Sequence, residues 1–443
     1  MTRRFFIETF GCQMNDLDSE KIAGSLQDAG MLPAGDASEA DLILLNTCSV
    51  REKAVQKVYA RLGEIRHRKL RQSDLLVGVV GCMAQLEAQQ LMRRAPFVSI
   101  VAGPQKSRII PGLVQRAGTE STPVVDLRMD DEAESPEIPH VARNSPWQAG
   151  VTISEGCSRA CSFCVVPFTR GRERNRPAGA IIREVEELAA RNYVEVLLLG
   201  QTVNSYRDPE SGLSFAGLLR RLAGIPGLTR IRFTSPHPGD FTAELLEVMV
   251  SCPQVCNQIH LPVQSGSTAI LRSMRRGYTR ERYLETIRRI KAAPRPIAIS
   301  TDLIVGFPGE SEADFRDTLT LLDEVQFDSA FSFKYSPRPN TKALELPGEV
   351  SEQEKGRRLM ILQEQQRVIQ YNKNAAYQGR VVDVLVDGRP KSRFSLAGRT
   401  TENKIVNFDG PDSLMGRIVP VLIGGFSANS LKGIRVEEGQ EGQ

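Results

Sequence analysis

Six short apolar runs, each followed by a stretch with helical spacing, occupy the middle of the chain and constrain its fold more than any other feature. The runs are GVTISEG, VEVLLLG, RIRFTS, NQIHLPV, AISTDLIVG and DSAFSF. Candidate helices separate them at about 178–191, 212–224, 240–250, 267–292 and 310–325. Strands that alternate with helices pair in parallel, so we expect a partial (βα)6-type or complete barrel with its chemistry at the carboxyl ends of the strands.

Different patterns flank this barrel. From Arg4 to Arg116, the runs FFIETF, DLILLNT, LLVGVVG and FVSIVAG alternate with helical stretches, which predicts an open parallel sheet. After Gly379, short runs between turn residues predict a small antiparallel β-barrel. The predicted fold class is therefore α/β with three domains. Their expected bounds are 3–117, 148–377 including a long charged closing helix at 351–377, and 378–438, with an acidic linker at 118–147 between the first two.

Composition narrows the class of protein. With 443 residues, 41% of them hydrophobic and 25% charged, the chain is typical of a soluble protein with two or three domains. Neither a secretory signal nor an apolar segment long enough to span a bilayer is apparent, so we expect a cytoplasmic protein without a membrane partner. Its eight cysteines are sparse and unevenly spaced, which argues against a disulfide framework and favours metal binding for any thiol cluster.

Three of the cysteines stand close together in EGCSRACSFCVV, on the loop after the first barrel strand: Cys157, Cys161 and Cys164. A structural zinc site or a fully ligated iron–sulfur cluster would need a fourth ligand, and no fourth cysteine lies nearby. Three thiolates on a cubane leave one iron open to a substrate or cosubstrate. The alternatives are zinc completed by a distant histidine, although this spacing is not usual for zinc, or buried unligated thiols.

Three further cysteines each end a strand-like run of the first domain: Cys12, Cys48 and Cys82. The carboxyl ends of parallel strands form the usual ligand crevice of an open sheet, so these thiols can converge there. We interpret them as ligands of a second cluster, with three structural thiols as the alternative. We interpret the remaining pair, Cys252 and Cys256, as structural thiols, with an accessory metal site as the alternative.

The Cys-x3-Cys-x2-Cys spacing, with an aromatic residue before the last cysteine, resembles the signature of radical S-adenosylmethionine enzymes. Polar and glycine-containing stretches follow the later strands, namely LLLGQTVNSY, TSPHP, HLPVQSGS and STDLIVGFPGE. The resemblance implies that S-adenosylmethionine chelates the open iron of a [4Fe–4S] cluster and is cleaved reductively to a radical. The side chains expected at the cosubstrate are Phe163, Gln201, Asn204, Ser235, His237, Gln264, Ser265 and Asp302. His260, inside a strand-like run, is expected to have a packing role.

Over residues 3–437 the chain resembles the methylthiotransferase family, in which a cysteine-bearing N-terminal domain precedes a radical barrel and a TRAM domain. The matching stretches are TFGCQMN, NTCSVREKA, VPFTRGRERNRP, GQTVNSY, DLIVGFPGE, GRTTENKIVNF and FSANSLKG. Thr202 and Asn175 depart from the expected Asn and Ser. The resemblance implies two [4Fe–4S] clusters, two S-adenosylmethionine molecules per turnover, a reducing electron donor and a sulfur source.

Within that family, the similarity is greatest to bacterial members that add methylthio to C2 of N6-isopentenyladenosine at position 37 of tRNA. Other possible substrates are threonylcarbamoyladenosine in tRNA and an aspartate of a ribosomal protein. Outside the family, the alternatives are a two-cluster electron-transfer protein and an RNA-binding module with a structural zinc.

Two groups of basic residues suggest how RNA is held. Arginines recur at every second position after the cluster loop, and an extended segment would turn all of them to one face toward phosphates. They are Arg170, Arg172, Arg174 and Arg176. A solvated charge run is the alternative. The predicted small barrel adds Lys391, Arg393 and Arg399, and barrels of this kind commonly bind RNA. We expect the protein to be a monomer.

Overall fold

The computed structural model describes residues 3–49, 52–129 and 140–436. The acidic stretch 130–139 of the predicted linker and the last two residues of the predicted third domain, 437–438, lie outside the described residues. No helix in the described part of the chain is both long and apolar enough to cross a membrane.

The N-terminal domain is built on six parallel strands with helices on both sides, as the sequence predicts. In chain order the strands are β1 (Arg4–Phe10), β2 (Leu32–Pro33), β3 (Leu42–Thr47), β4 (Leu76–Gly81), β5 (Ile100–Ala102) and β6 (Val124–Asp126). The helices are α1 (Gln13–Asp28), α2 (Glu52–Arg71), α3 (Cys82–Arg94) and α4 (Ile110–Ala117). The strand order is β2-β1-β3-β4-β5-β6, and the central strands β3 and β4 are buried on both faces, which explains their unbroken apolar sequence.

The sheet extends into the segment that we predicted to be a linker. β6 pairs in parallel with β5, and Val124 is fully covered by the N-terminal core. Three residues with Val at two positions are too short to show a strand period, so the sequence alone did not distinguish this strand from a loop. Part of 118–147 therefore belongs to the first sheet.

The central domain contains all six predicted strands in two three-stranded parallel sheets. They are β7 (Gln148–Thr152), β10 (Glu195–Leu199), β11 (Arg230–Phe233), β12 (Gln258–His260), β13 (Ala298–Val305) and β14 (Ser329–Lys334). After β7, the two-residue strand β8 (Ser154–Glu155) pairs in antiparallel with β9 (Arg174–Asn175), and the cysteine loop lies between them. The sheets have the orders β11-β10-β7 and β12-β13-β14 and meet at a bridge between Ile231 and Val255, which makes a partial barrel.

Helices cover the outside of the barrel. They are α6 (Ala178–Ala190), α7 (Phe215–Ala223), α8 (Ala243–Ser251), α9 (Thr268–Ser273), α10 (Arg280–Lys291), α11 (Glu312–Val325) and α12 (Glu352–Ala375). The short helix α5 (Val166–Arg170) follows the cysteine loop and packs against α3 of the N-terminal domain. The helix predicted at 267–292 is two helices, because Arg275 and Gly277 adopt left-handed backbone angles, with φ of 56° and 74°. This break buries the side chains of Arg276 and Tyr278 instead of leaving them on a continuous helix surface.

Alternate positions of the strands face the helices and the barrel interior. Leu198 of β10 and Leu303 of β13 belong to the large core under the helices. Because side chains alternate along a strand, Arg232, His260 and Asp302 face the interior. The strands therefore turn polar side chains to the inside of the barrel and apolar side chains to the surrounding helices.

The C-terminal domain is a closed five-stranded barrel with the order β15-β16-β17-β19-β18. Its strands are β15 (Val381–Gly388), β16 (Leu396–Arg399), β17 (Ile405–Phe408), β18 (Ile418–Phe426) and β19 (Leu431–Arg435). Four of its pairings are antiparallel, as predicted, and β17 pairs with β19 in parallel.

The small barrel docks at the amino end of the central strands. Arg230, the first residue of β11, donates to the carbonyl oxygens of Arg399 and Asp383 at 2.7 and 2.9 Å. Asp328, just before β14, pairs with Lys404 at 3.0 Å. The carboxyl end of the central barrel, where the three-cysteine loop lies, therefore stays uncovered by this domain.

Candidate active site

The loop that carries Cys157, Cys161 and Cys164 begins with a turn that requires glycine. Gly156 has a φ of 79°, and a Cβ there would overlap the carbonyl groups of Gly171 and Arg172. The Cys157 N–H donates to the Gly171 oxygen at 3.1 Å. This turn places the first cysteine in a buried position directly above β7.

Hydrogen bonds to two distant segments fix the rest of the loop. The Ser162 N–H and hydroxyl donate to the carbonyl oxygens of Met274 and Ser273 at 3.0 and 2.7 Å. The Ala343 N–H donates to the Ser162 oxygen at 2.8 Å. The loop is therefore held in place by the end of α9 and by the segment at Ala343.

The three thiols lie in an environment that suits a cationic metal group. Burial and the neighbouring thiols of Cys161 and Cys157 raise the pKa of Cys164 to about 12, so three bare thiolates would repel each other there. Arg276 Nη1 donates to Cys161 Sγ at 3.3 Å from a side chain that is almost fully buried. Three thiols without a fourth ligand fit a [4Fe–4S] cluster with one open iron.

The arrangement differs from a site for one metal ion. Among the described residues, no three Cys, His, Asp or Glu side chains gather around a point as a single ion requires. The three thiols of a cubane site bind three different irons and need not share one point. Three thiols at this spacing without a fourth ligand nearby are the donor set of a cluster with one open iron.

The residues expected at the cosubstrate come to one end of the barrel. Gln201 and Asn204 follow β10, Ser235 and His237 follow β11, and the next pair, Gln264 and Ser265, follows β12. Phe163 packs edge-on against Phe307 at 6.4 Å, beside this end. Only Asp302 lies inside a strand, three residues before the end of β13.

His237 and Asn204 join two of these loops. The His237 N–H donates to Asn204 Oδ1 at 2.7 Å, and Asn204 Nδ2 donates to the His237 oxygen at 2.9 Å. Burial, with the charges of Arg276 and Arg159, lowers the pKa of His237 to about 3, so the ring is neutral. His237 Nδ1 accepts from the Gly239 N–H at 3.1 Å, which places the ring proton on Nε2. This N–H is buried without a hydrogen-bond partner among the described residues, and is available to a ligand.

Two non-glycine residues in this set have left-handed backbone angles. Ser235 has a φ of 59° and Gln264 a φ of 78°, conformations that cost on the order of 1–3 kcal/mol each. Gln264 is held by hydrogen bonds on both sides, with its N–H donating to the Asp302 oxygen and its oxygen accepting from the Ile304 N–H, each at 2.9 Å. Strained residues of this kind cluster at ligand sites.

His260 has a polar contact in addition to the packing role that we expected. Its Nε2 lies 3.3 Å from Asp302 Oδ2, and its Nδ1 lies 3.0 Å from Ser300 Oγ. The ring also packs edge-on against Phe331. The sequence signal for this contact was the strand alternation that turns both His260 and Asp302 to the interior.

The other cysteine set follows one aligned row of the N-terminal sheet. Phe10, Thr47 and Gly81 are aligned across the adjacent strands β1, β3 and β4. Cys48 and Cys82 follow this row by one residue, and Cys12 follows it by two. Three cysteines spread over 71 positions of the sequence therefore share one edge of the sheet, beside the N-termini of α1 and α3.

A buried amide network that sequence reasoning missed holds this edge together. Asn15 Nδ2 donates to Asn46 Oδ1 at 3.0 Å, and Asn46 Nδ2 donates back to the Asn15 oxygen at 2.8 Å. The Cys12 thiol donates to Asn15 Oδ1 at 3.3 Å. Thr47 Oγ1 donates to the Val80 oxygen at 2.7 Å. Asn15 and Asn46 are completely buried, so the network fixes α1 against β3 next to the thiols.

The prediction that four alternate arginines turn to one exposed face is wrong. Arg170 is buried in an ion pair with Asp18, and Arg176 pairs with Glu184 at 2.8 Å. Arg174 is also largely buried and lies 3.7 Å from Glu155. Arg170 ends α5 and β9 covers only Arg174 and Asn175, so the four arginines do not lie on one strand. Arg172 is the one member of the row whose side chain is exposed.

The remaining predicted residues lie away from this end. Lys391 and Arg393 are exposed between β15 and β16, whereas Arg399 forms an ion pair with Asp387 at 3.3 Å. Cys256 lies just before β12, at the opposite end of the barrel from the cysteine loop, and burial raises the pKa of its thiol to about 11. This placement favours a structural role for Cys252 and Cys256.

Comparison with known families divides the chain into three matched segments. Residues 4–103 match the uncharacterized protein family UPF0004, residues 151–322 match the radical SAM superfamily, and residues 375–436 match the TRAM domain. Each cysteine set lies in a different one of the first two segments.

Whole-length relatives are also found. The chain is 46% identical to the tRNA-2-methylthio-N(6)-dimethylallyladenosine synthase of Solibacter usitatus, over 97% of each chain. It is 45% identical to the enzyme of that name from Moorella thermoacetica, over 98% of this chain and 99% of the relative. Among solved structures, the radical S-adenosylmethionine methyltransferase TsrM from Kitasatospora setae, with cobalamin and a [4Fe-4S] cluster bound, has a TM-score of 0.54 at 15% identity, over 77% of each chain. That likeness shows the fold alone.

Proposed function

The chain belongs to the family of tRNA-2-methylthio-N(6)-dimethylallyladenosine synthases, and from this membership we propose that it adds a methylthio group to C2 of N6-isopentenyladenosine at position 37 of tRNA. The observation that carries the proposal is the presence of two three-thiol sites in neighbouring domains. One lies on the radical barrel, and the other lies at the carboxyl edge of the N-terminal sheet. A sulfur-inserting enzyme needs both a radical source and a place to hold sulfur.

The radical SAM superfamily works with a [4Fe–4S] cluster and S-adenosylmethionine. When bound, such a cluster supplies the electron that cleaves S-adenosylmethionine to a carbon radical. Cys157, Cys161 and Cys164 would hold it, because they supply three thiols and no fourth. Arg276 stabilises the charge on the Cys161 sulfur through its 3.3 Å hydrogen bond. A second cluster held by the N-terminal cysteines is the finer part of the proposal.

The loops above the strands orient the cosubstrate. The Nε2–H of His237, which has no hydrogen-bond partner among the described residues, would donate to an acceptor of S-adenosylmethionine. The strained backbones at Ser235 and Gln264 would present polar groups to the same cosubstrate. Phe163, Phe307 and Tyr335 form an apolar wall beside the cysteine loop that limits access of water to a radical.

The overall change replaces C2–H by C2–S–CH3. The hydrogen leaves in 5′-deoxyadenosine, and a second S-adenosylmethionine supplies the methyl group. One electron enters to cleave the sulfonium, and one is released when the substrate carbon forms its bond to sulfur. The proposal therefore requires a low-potential electron donor and a sulfide source, and it consumes two molecules of S-adenosylmethionine per product.

Exposed arginines at the carboxyl end of the barrel suit tRNA better than the buried row does. Arg272 and Arg275 flank the two residues whose carbonyl groups hold the cysteine loop, and Arg172 follows that loop. These three residues, Arg172, Arg272 and Arg275, are called the arginine rim below. Lys391 and Arg393 of the small barrel would contact the same tRNA at a greater distance from the cysteine loop. The small barrel lies at the opposite end of the central strands, and the eight residues of β13 alone span about 26 Å.

Nucleoside analysis tests the proposal directly. We expect tRNA from cells that lack this chain to carry N6-isopentenyladenosine without the methylthio group, and the group to return with the chain. Purified, reconstituted protein should form the product on isopentenylated tRNA and not on the unmodified transcript. Appearance of the group on threonylcarbamoyladenosine instead, or cluster reduction without cleavage of S-adenosylmethionine, would contradict the assignment.

A further inference from the structure

Phe331, in the middle of β14, is a large apolar residue that stays exposed inside the barrel. Its neighbour Ala330 packs against the large core under the helices, so the alternation of side chains along the strand turns Phe331 to the interior. Phe331 is nevertheless 52% exposed. Side chains normally fill the interior of a barrel of parallel strands, so an exposed aromatic ring there indicates space for a ligand.

Strand pairing leaves the barrel open beside this residue. β14 is the last strand of the order β12-β13-β14, and β7 is the last strand of the other sheet. The two sheets meet at the other end of each order, through the bridge between Ile231 and Val255. No pairing joins β7 to β14 among the described strands. A base of RNA can therefore approach Phe331 through the side of the barrel between β7 and β14.

An apolar path leads from Phe331 to the cysteine loop. Phe331 is aligned with Asp302 of β13, and Ile304 lies two residues farther along the same face. Ile304 packs against the buried cluster that contains Phe307, which Phe163 of the cysteine loop also contacts. Two residues of a strand span about 6–7 Å. Phe331 therefore lies deeper in the barrel than Ile304 by about the length of a short substituent.

This position suits the N6 substituent of the proposed substrate. In adenine, N6 and C2 lie on opposite sides of N1, so a C2 atom held near the cysteine loop directs the substituent away from that loop. The isopentenyl group is a branched, uncharged hydrocarbon chain, and its transfer from water to an apolar surface is favourable. Ile304 and the ring of Phe331 offer such a surface along the direction that the substituent takes.

Asp302 adds a charge beside this surface. Its Oδ2 lies 3.3 Å from His260 Nε2, and the His260 ring packs edge-on against Phe331 with 5.8 Å between the ring centres. A threonylcarbamoyl substituent carries a carboxylate, which the carboxylate of Asp302 would repel. The wall that favours an apolar chain therefore disfavours the charged substituent.

We propose that Phe331 and Ile304 form the subsite for the isopentenyl group, and that Asp302 excludes a carboxylate from this subsite. The inference rests on the proposed function, because it requires N6-isopentenyladenosine as the substrate. It places Asp302 with the substrate, in agreement with the position of Asp302 inside β13, below the loops that carry the other residues expected at the cosubstrate. Phe331 and Asp302 are then residues that determine substrate choice.

The test compares the binding of three RNA stem-loops that carry adenosine, N6-isopentenyladenosine or N6-threonylcarbamoyladenosine at the target position. The full-length, reconstituted protein is used with S-adenosylmethionine and without reductant, so that no turnover occurs. We expect the wild-type chain to bind the isopentenylated RNA about tenfold or more tightly than the unmodified RNA. Phe331→Ser should remove most of this preference, whereas Phe331→Leu, which keeps an apolar side chain, should keep most of it.

A gain of binding and a matched control separate specificity from folding. Asp302→Asn should raise the affinity for the threonylcarbamoylated RNA by about tenfold or more, because the repulsion between two carboxylates is removed. A damaged fold cannot produce such a gain. Met360, on α12 outside the barrel, is also a large exposed apolar residue. Met360→Ser should leave the preference for the isopentenylated RNA unchanged.

Product analysis after addition of reductant distinguishes failure of the subsite from failure of the proposed function. Wild-type protein that adds no methylthio group to the isopentenylated RNA overturns the proposed function, and the inference with it. If the product forms, the subsite is overturned by equal binding of the isopentenylated and unmodified RNAs, by an unchanged preference in Phe331→Ser, or by an equal loss in Met360→Ser. Absence of a gain in Asp302→Asn overturns the role of Asp302.

Discussion

Removal of the arginine rim should weaken tRNA binding by a predictable amount. All three side chains are exposed, and each can reach one phosphate. A phosphate contact contributes about 0.7–0.9 to the slope of log affinity against log salt, through release of counterions. Loss of three contacts should therefore flatten the slope by about 2–2.7 and weaken binding in 0.1 M salt by roughly 100- to 500-fold.

The assay is the affinity of isopentenylated tRNA for the Arg172→Gln, Arg272→Gln and Arg275→Gln triple variant between 0.05 and 0.3 M salt. The matched control changes three exposed arginines on the outer helices, Arg221, Arg288 and Arg316, to Gln. Both variants lose the same net charge, but the control residues lie away from the cysteine loop. A slope equal to that of the wild type, or an equal loss in the control, would show that the rim does not contact the RNA.

Three further predictions concern the cysteine sites, the loop turn and pH. Changing Cys157, Cys161 and Cys164 to Ala should abolish formation of 5′-deoxyadenosine. Changing Cys12, Cys48 and Cys82 to Ala should roughly halve the bound iron and stop thiolation, while radical formation remains. Iron analysis and product assays that show otherwise refute these assignments. Gly156→Ala should lower stability by at least about 1–2 kcal/mol in denaturant unfolding and reduce iron loading, because the new Cβ meets two carbonyl groups in a left-handed turn. Since the folded pKa of His237 is depressed to about 3, the protein should lose stability as pH falls below about 6.5, by up to about 1.4 kcal/mol per unit, and His237→Phe should flatten this dependence.

The spacing of apolar residues along the sequence correctly predicted most of the strands and helices. The six apolar runs of the barrel are its six strands, and the alternating runs before Arg116 form the predicted parallel sheet. Strand β6 was missed because three residues carry no period. The helix predicted at 267–292 is broken because backbone angles at Arg275 and Gly277, rather than side-chain spacing, end α9.

The spacing of charged residues led to a wrong prediction. Alternate spacing of arginines predicted one exposed face, but three of the four are engaged by carboxylates of other elements. The carboxylate that pairs with Arg170 is 152 residues away in the chain. No spacing within residues 170–176 indicates such a partner.

The sequence by itself determined which cysteines can act together, because a thiol that ends a parallel strand must lie at the carboxyl edge of its sheet. Cys12, Cys48 and Cys82 follow one aligned row for that reason. Only the tertiary structure decided what surrounds them. Arg170 beside Asp18 and Arg276 beside Cys161 come from other segments, and their placement depends on how domains and helices pack. Hydrophobic periodicity shows which face of each element is buried, but it does not indicate which distant charged residue that element contacts.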